Sequence, residues 1–392
     1  MMKKFVSGDE AVAMGVRLAR PHVISAYPIT PQTIVVERLS EMVEDKSLKA
    51  EFLHVESEHS AMAAAMGVSS VGARAFTATS SQGLLYMSEV MHYVSGARFP
   101  IVMMNANRSI AVPWSIYGDQ RDSLSQLDSG WIQVYVEDAQ EALDMIIQAY
   151  KIAENKDVLT PMMVNLDGFV LTHTYELINL PNQEKVDEFL PPIDSIVKMD
   201  INDPKSLCFS TSPEHNMEFK YKQHVAMLNA KKVIEEVDKE YGDMFGRYYD
   251  GLIEEYKTTD AEVLLLTVGS ITGTARVVID KLRKNGQKVG LIKLRYLRPF
   301  PEEELQKISS KAKVLGVLEK DVSFGYEGTV FTNVSSALSK LENQPQIYNF
   351  LGGMGGRDIS KEDIEDIILK LIDAHNGKKI DRVQFVNLKA RV

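Results

Sequence analysis

Apolar positions along the first 180 residues alternate between helical and strand-like rhythms. In SGDEAVAMGVRLA (7–19) a serine-led start precedes apolar residues at helical spacing, which predicts a capped helix. HVISAYPITP (22–31) is a short apolar strand halted by two prolines. The pattern then predicts a helix over 33–45, a strand over 50–55, an Ala- and Met-rich helix over 58–73 and a strand over 74–80 that runs into Ser-Gln-Gly and a helix start. A further apolar strand covers 98–107, a helix 138–153, and TPMMVNLDG (160–168) is again a strand. Continuous apolar strands alternating with helices predict a parallel sheet covered on both faces, an α/β fold.

The rhythm changes after 180. Residues 180–206 are polar and punctuated by prolines, and 224–256 predict one or two charged helices, so this stretch reads as a connecting region packed over the first domain. A second α/β unit starts at 261, with a strand over 261–270, a helix over 271–286 ended by glycine, a strand over 287–301, a helix over 301–313 and a strand over 314–321. The domains are therefore expected at 1–180 and 261–392, joined by 181–260. Each expected domain lies within the usual size range.

Composition narrows the class. At 45% hydrophobic and 25% charged, the chain is that of an ordinary globular protein. No apolar stretch approaches the roughly 20 residues needed to span a bilayer. The start MMKKFVSGDEAVAMG has no apolar core or small-residue cleavage site, so a cytoplasmic location is expected. A net charge of −10 argues against nucleic acid as a partner. The chain has one cysteine, Cys208, which rules out an internal disulfide and a cysteine-ligated iron–sulfur cluster on this polypeptide.

Candidate chemistry gathers at strand ends. Tyr27-Pro28-Ile29-Thr30-Pro31-Gln32-Thr33 ends one strand, and in open α/β sheets ligands collect there. Its prolines fix the backbone, so Thr30 either presents a hydroxyl rigidly or simply caps the next helix. Glu56, Glu58 and His59 follow another strand. Glu58 is either a carboxylate able to exchange a proton with a ligand nitrogen or an ordinary acidic residue of a first helical turn, and His59 reads as a packing or capping residue. Thr77 to Gly83 offers small hydroxyls and a glycine where a flat ligand could approach, or an ordinary cap. Arg108, ending the strand FPIVMMNAN, suits a carboxylate clamp or a structural ion pair with a nearby aspartate. No metal ligand set is visible: GDQRD (118–122) lacks a spaced third ligand, and the Gly-Asp pairs at 118 and 242 lead into no metal–diphosphate motif. GGMGGRD (352–358) reads as a tight turn.

SGDEAVAMG, AYPITPQT, VESEHSA, GARAFTATSSQGL, NRSIAVPWSIYGDQRD, DSGWIQVYVED, LRPFP and GGMGGRD, in this order, resemble the alpha subunit of pyruvate:ferredoxin oxidoreductase (pyruvate synthase), of the 2-oxoacid:ferredoxin oxidoreductase family, over nearly the whole chain. The resemblance implies a pyrimidine-type thiamine-diphosphate-binding domain followed by a transketolase C-terminal-like α/β domain. It implies CoA-dependent oxidative decarboxylation of pyruvate, reversible, with electrons passing to ferredoxin. Thiamine diphosphate would be shared with a partner subunit. Mg²⁺ and 4Fe–4S clusters would lie on beta, gamma and delta type partners. By the same resemblance Glu58 contacts the pyrimidine ring, Thr30 lies near the substrate oxygen and Arg108 binds the substrate carboxylate. Tyr27, Pro28 and Ile29 accompany Thr30 in the cofactor motif, and Asp119 and Tyr27 stand one step behind the reacting groups. A 2-oxoisovalerate enzyme is the alternative within the class, with pocket size depending on Ile29, Trp114 and Ile116. Oxalate and 2-oxoglutarate would want a further charged or basic residue, which the sequence does not place. A non-catalytic interaction subunit and a cluster-free thiamine enzyme are the competing classes.

Overall fold

The computed structural model describes residues 2–389. Its strands, numbered in chain order, are β1 (Met2–Ser7), β2 (Val23–Ala26), β3 (Glu51–His54), β4 (Ala75–Thr79), β5 (Val102–Asn107), β6 (Ile132–Tyr135), β7 (Met162–Asp167), β8 (Tyr175–Leu180), β9 (Ile253–Tyr256), β10 (Val263–Thr267), β11 (Val289–Leu294), β12 (Tyr296–Arg298), β13 (Val314–Glu319), β14 (Gln346–Leu351) and β15 (Val383–Phe385). They form a seven-stranded sheet in the order β12-β6-β7-β5-β4-β2-β3 and a six-stranded sheet in the order β15-β14-β13-β10-β11-β9. The first is parallel apart from β12, the second parallel apart from β9. β1 and β8 form a separate antiparallel ribbon.

The first sheet is buried on both faces because its strands carry apolar side chains on each. Val102 and Met104 of β5 and Met162 and Val164 of β7 enter a core with Val12 and Val16, Val35 and Leu39, and Leu143 and Ile147 from three helices. The intervening Met103 and Met163 point the other way, into a core with Met62, Val90, Met91 and Trp131. Side-chain period two thus splits one strand between two cores. The helix Gly8–Ala19 starts where its sequence says: Ser7 accepts from the Glu10 amide and Glu10 accepts from the Ser7 amide, a reciprocal capping box.

Two expectations change. The charged region is one helix, Pro213–Phe245, beginning well before 224. Proline at its first turn suits a helix start. Its early turns are exposed, while Ala226, Ala230, Val233, Ile234, Val237, Tyr241 and Phe245 bury against the first core. The strand expected over 287–301 is two strands in different sheets. β11 belongs to the second sheet, whereas β12 pairs antiparallel with β6 of the first. The chain crosses at Arg295, which is buried and whose Nε donates to Glu141 Oε1 at 2.9 Å. A charged residue inside an apolar run is here the hinge between sheets, and periodicity gives no sign of it.

Candidate active site

The helix after β2 packs in the first core, whereas the helices after β3 and β4 pack in the other. Chain connections therefore diverge between β2 and β4, and the carboxyl ends of strands at such a switch point are where open α/β sheets bind ligands. The loop 27–32 follows β2 at this point. Gln32, fully buried, ties the loop to β4 by donating to the carbonyls of Tyr27 at 2.9 Å and Ala78 at 3.2 Å.

Glu58 opens the helix Glu58–Ser70, behind an N-cap serine whose hydroxyl accepts from the Ser60 amide at 3.2 Å. The residue is only 8% exposed. Its carboxylate lies against Gly83 of the helix Ser81–Tyr86: a Cβ added there would sit 2.7 Å from Glu58 Oε1 and 2.5 Å from Thr79 Oγ1. The missing side chain is thus what admits both groups. The Thr79, Ser80 and Thr77 hydroxyls are buried without a protein partner. Buried polar groups are normally satisfied. These hydroxyls, a carboxylate and a bare glycine backbone fit a flat, nitrogen-bearing ring.

Arg108 leaves the end of β5 and is 5% exposed. Its Nη1 donates to Thr30 O at 3.0 Å, its Nε to Ser115 O at 3.4 Å, and its guanidinium lies 5.5 Å from the Trp114 ring centroid. Burial lowers its pKa from the usual guanidinium value, partly opposed by the charge of Asp122. No carboxylate pairs with this guanidinium among the described residues. The nearby Asp122 accepts from the Arg108 backbone N–H and acts on the guanidinium only through its charge, without a direct ion pair. A buried fork beside Thr30 with no carboxylate in direct contact is suited to an incoming carboxylate. Thr30 itself is exposed, as are Tyr27 and Pro28, with Ile29 half-buried.

Asp122 is the residue that pattern reading passed over. Fully buried, it accepts from the amides of Ser81 at 3.1 Å, Arg108 at 3.0 Å and Ser123 at 2.8 Å, and from the side chains of Asn107 at 2.7 Å and Asn105 at 3.3 Å. One carboxylate joins the ends of β4 and β5. Burial pushes its pKa up to about 6, against those hydrogen bonds. The only sequence signal was its place in GDQRD. Asp119, also buried, accepts from Arg121 and from the Gly355 amide of the second domain. His59 turns outward, 3.6 Å from Glu89 and beside Tyr86, in keeping with a packing role.

The pyruvate flavodoxin/ferredoxin oxidoreductase, thiamine diphosphate-binding family model matches residues 14–239, and the pyruvate:ferredoxin oxidoreductase core domain II model matches 261–364. The chain is 48% identical to pyruvate synthase subunit PorA of Methanothermobacter thermautotrophicus, over 94% of this chain and 95% of that one. It is 44% identical to ketoisovalerate oxidoreductase subunit VorA of Pyrococcus abyssi, over 99% and 98%. Among solved structures, a 2-oxoglutarate:ferredoxin oxidoreductase from Magnetococcus marinus superposes with a TM-score of 0.73 at 20% identity, covering 94% of this chain and 65% of that longer one. A split-gene transketolase gives 0.54 at 12% identity, covering 94% and 99%, which supports the transketolase-like fold. The chain belongs to the 2-oxoacid:ferredoxin oxidoreductase family and carries a thiamine-diphosphate-binding domain of the pyruvate flavodoxin/ferredoxin oxidoreductase type.

Proposed function

We propose that this chain is the alpha subunit of a pyruvate:ferredoxin oxidoreductase and supplies the pyrimidine half of its active site. The observation that carries the reading is Arg108: a buried guanidinium with carbonyl and indole partners only, held against Thr30. Such a charge calls for an anionic ligand, since leaving it uncompensated in a dry site is costly. The neighbouring cations do not share the role. Arg121 is paired with Asp119 and Lys320 with Asp167, so a single carboxylate is favoured over a dicarboxylic 2-oxoacid.

Thiamine diphosphate, when bound, supplies the carbon centre that adds to the 2-oxoacid and holds its electrons after decarboxylation. Glu58 holds or accepts a proton at the pyrimidine ring nitrogen, with Gly83 leaving room for its carboxylate. Arg108 binds and orients the substrate carboxylate, and the Thr30 hydroxyl donates to the substrate oxygen as charge develops there. Tyr27, Pro28 and Ile29 form the wall of the loop that carries Thr30. Clusters of the 4Fe–4S type on partner subunits would carry the electrons to ferredoxin, and CoA would take the acyl group. Mg²⁺ and the diphosphate belong to the partner's half.

The surface around Arg108 supports a shared site. Val112 is 83%, Trp114 68% and Phe324 81% exposed, with Ile116, Tyr117 and Tyr326 exposed beside them. Large apolar side chains clustered at a site mouth are characteristic of a surface covered by another chain.

The test is an anaerobic preparation of the complex, assayed for CoA-dependent reduction of ferredoxin or viologen with pyruvate, 2-oxoisovalerate and 2-oxoglutarate in parallel. Pyruvate-selective turnover that is lost in the isolated chain is expected. Activity with another 2-oxoacid alone would overturn the substrate, and activity in the isolated chain would overturn the shared site.

A further inference from the structure

The glycine-rich stretch 352–358 follows β14 in the second domain, yet Gly355 and Gly356 touch the loop that carries Arg108 in the first. The Gly355 amide donates to Asp119 Oδ2 at 3.1 Å, and the Ser115 hydroxyl donates to the Gly355 carbonyl at 3.0 Å. Gly356 lies so close that an added Cβ would fall 2.2 Å from Tyr117 Cβ. Gly353, Gly355 and Gly356 all have left-handed φ, at +76°, +63° and +81°. Only glycine adopts this run of backbone without strain. The tight turn expected from the sequence is thus also a docking surface for another loop.

The docked loop needs such support. Residues 110–120 form no helix or strand. The first domain fixes one end through Asp122, which holds the Arg108 amide, and through the Ser109 amide, which donates to Tyr117 O at 3.1 Å. The second domain fixes the middle through Gly355 and Gly356, and the far end through the Lys320 carbonyl, which accepts from the Gln120 amide at 3.1 Å. Ser115 stands at the junction. Its hydroxyl is held by Gly355 while its carbonyl accepts from Arg108 Nε, and adjacent Trp114 lies over the same guanidinium.

We propose that the Gly352–Asp358 loop is a positioning clamp of the second domain, setting the Arg108 fork at the distance a substrate carboxylate requires. The inference rests on the reading of Arg108 as the carboxylate-binding residue. It gives the second domain a part in substrate binding at a site built from first-domain residues.

The experiment compares Gly356→Ala, Ser115→Ala and Gly286→Ala in the assembled complex, measuring kcat and KM for the 2-oxoacid, thiamine diphosphate affinity and melting temperature. Gly286 is the control: it also has a left-handed φ, +80°, in the second domain, but a Cβ there meets nothing within 4 Å. Gly356→Ala is expected to raise KM by about tenfold or more, with kcat and cofactor affinity near wild type, because a small displacement of a binding group is felt directly by the substrate. Gly286→Ala is expected to lower the melting temperature similarly and leave KM alone. An unchanged KM in Gly356→Ala would overturn the clamp and leave the loop a packing contact. If that variant does not assemble, Ser115→Ala decides: a KM raised about threefold supports the clamp and an unchanged KM overturns it. Wild-type complex that turns over no 2-oxoacid would overturn the reading of Arg108, and the clamp with it.

Discussion

At the scale of single residues, the site is made of groups whose partners are missing or unusual. Glu58 and Thr79 converge on a bare glycine, and the Arg108 guanidinium has carbonyl and indole contacts where an ion pair would be usual. Glu58→Gln keeps the shape and removes the exchangeable proton, so turnover in the assembled complex should fall by about 100-fold or more. Turnover within a few-fold of wild type would remove Glu58 from the chemistry. Asp122 acts through Arg108. Its carboxyl, raised to about 6 by burial, takes up a proton as pH falls through that value, and a protonated carboxyl accepts less well from the Arg108 and Ser81 amides. KM for the 2-oxoacid should therefore rise below about pH 6 in wild type. Asp122→Asn, which resembles the protonated form, should show a raised and pH-independent KM. A variant whose KM still climbs below pH 6 would place the titration elsewhere.

At the scale of elements, the short helix Ser81–Tyr86 decides where the Glu58 carboxylate lies. Gly83→Ala would ordinarily favour a helix by roughly 1 kcal/mol. Here the new methyl meets Glu58 Oε1 and Thr79 Oγ1, and the flexible glutamate is the group that yields. The expected result is turnover down by about tenfold or more, with only a small shift in melting temperature. Melting loss without loss of turnover would show that Glu58 is not needed where it lies. The element-scale lesson from the sequence is mixed. Helix starts were legible where capping chemistry is local, as at Ser7, although the cap before Glu58 is Ser57 and not His59. The break at Arg295 was not, because which sheet a strand joins depends on partners far along the chain.

At the scale of the whole molecule, the two sheets are joined by buried charge. Glu141, on the helix Ala139–Ala153, accepts from Lys293 Nζ at 2.8 Å and Arg295 Nε at 2.9 Å, with all three side chains buried. Burial works to raise the Glu141 pKa, but the two cations outweigh it and hold it at about 2, below its ordinary 4.5. A carboxylate held below its unfolded value stabilises the fold fully above about pH 4.5, and that contribution is lost as pH falls toward about 2. Glu141→Gln leaves buried Arg295 without its paired carboxylate and Lys293 with only Glu137 and Glu254, and should cost roughly 3 kcal/mol at neutral pH. Denaturant unfolding of both forms should show this gap closing between pH 4.5 and 2, and a gap independent of pH would argue against the triad as its source.

By itself the sequence determined the β–α alternation, the placing of Thr30, Glu58 and Arg108 at strand ends and, through its ordered motifs, the family. These depend on local rhythm, on caps and on residues adjacent in the chain. Only the tertiary structure decided that Arg108 touches Thr30 across 78 positions, that Asp122 gathers two strand ends, and that a glycine loop from the second domain grips the arginine loop. Such contacts depend on which strands become neighbours, and a linear pattern does not encode that. The buried charges that join the sheets were hidden for the same reason: Lys293, Arg295 and Glu141 look like surface residues until packing removes the water around them.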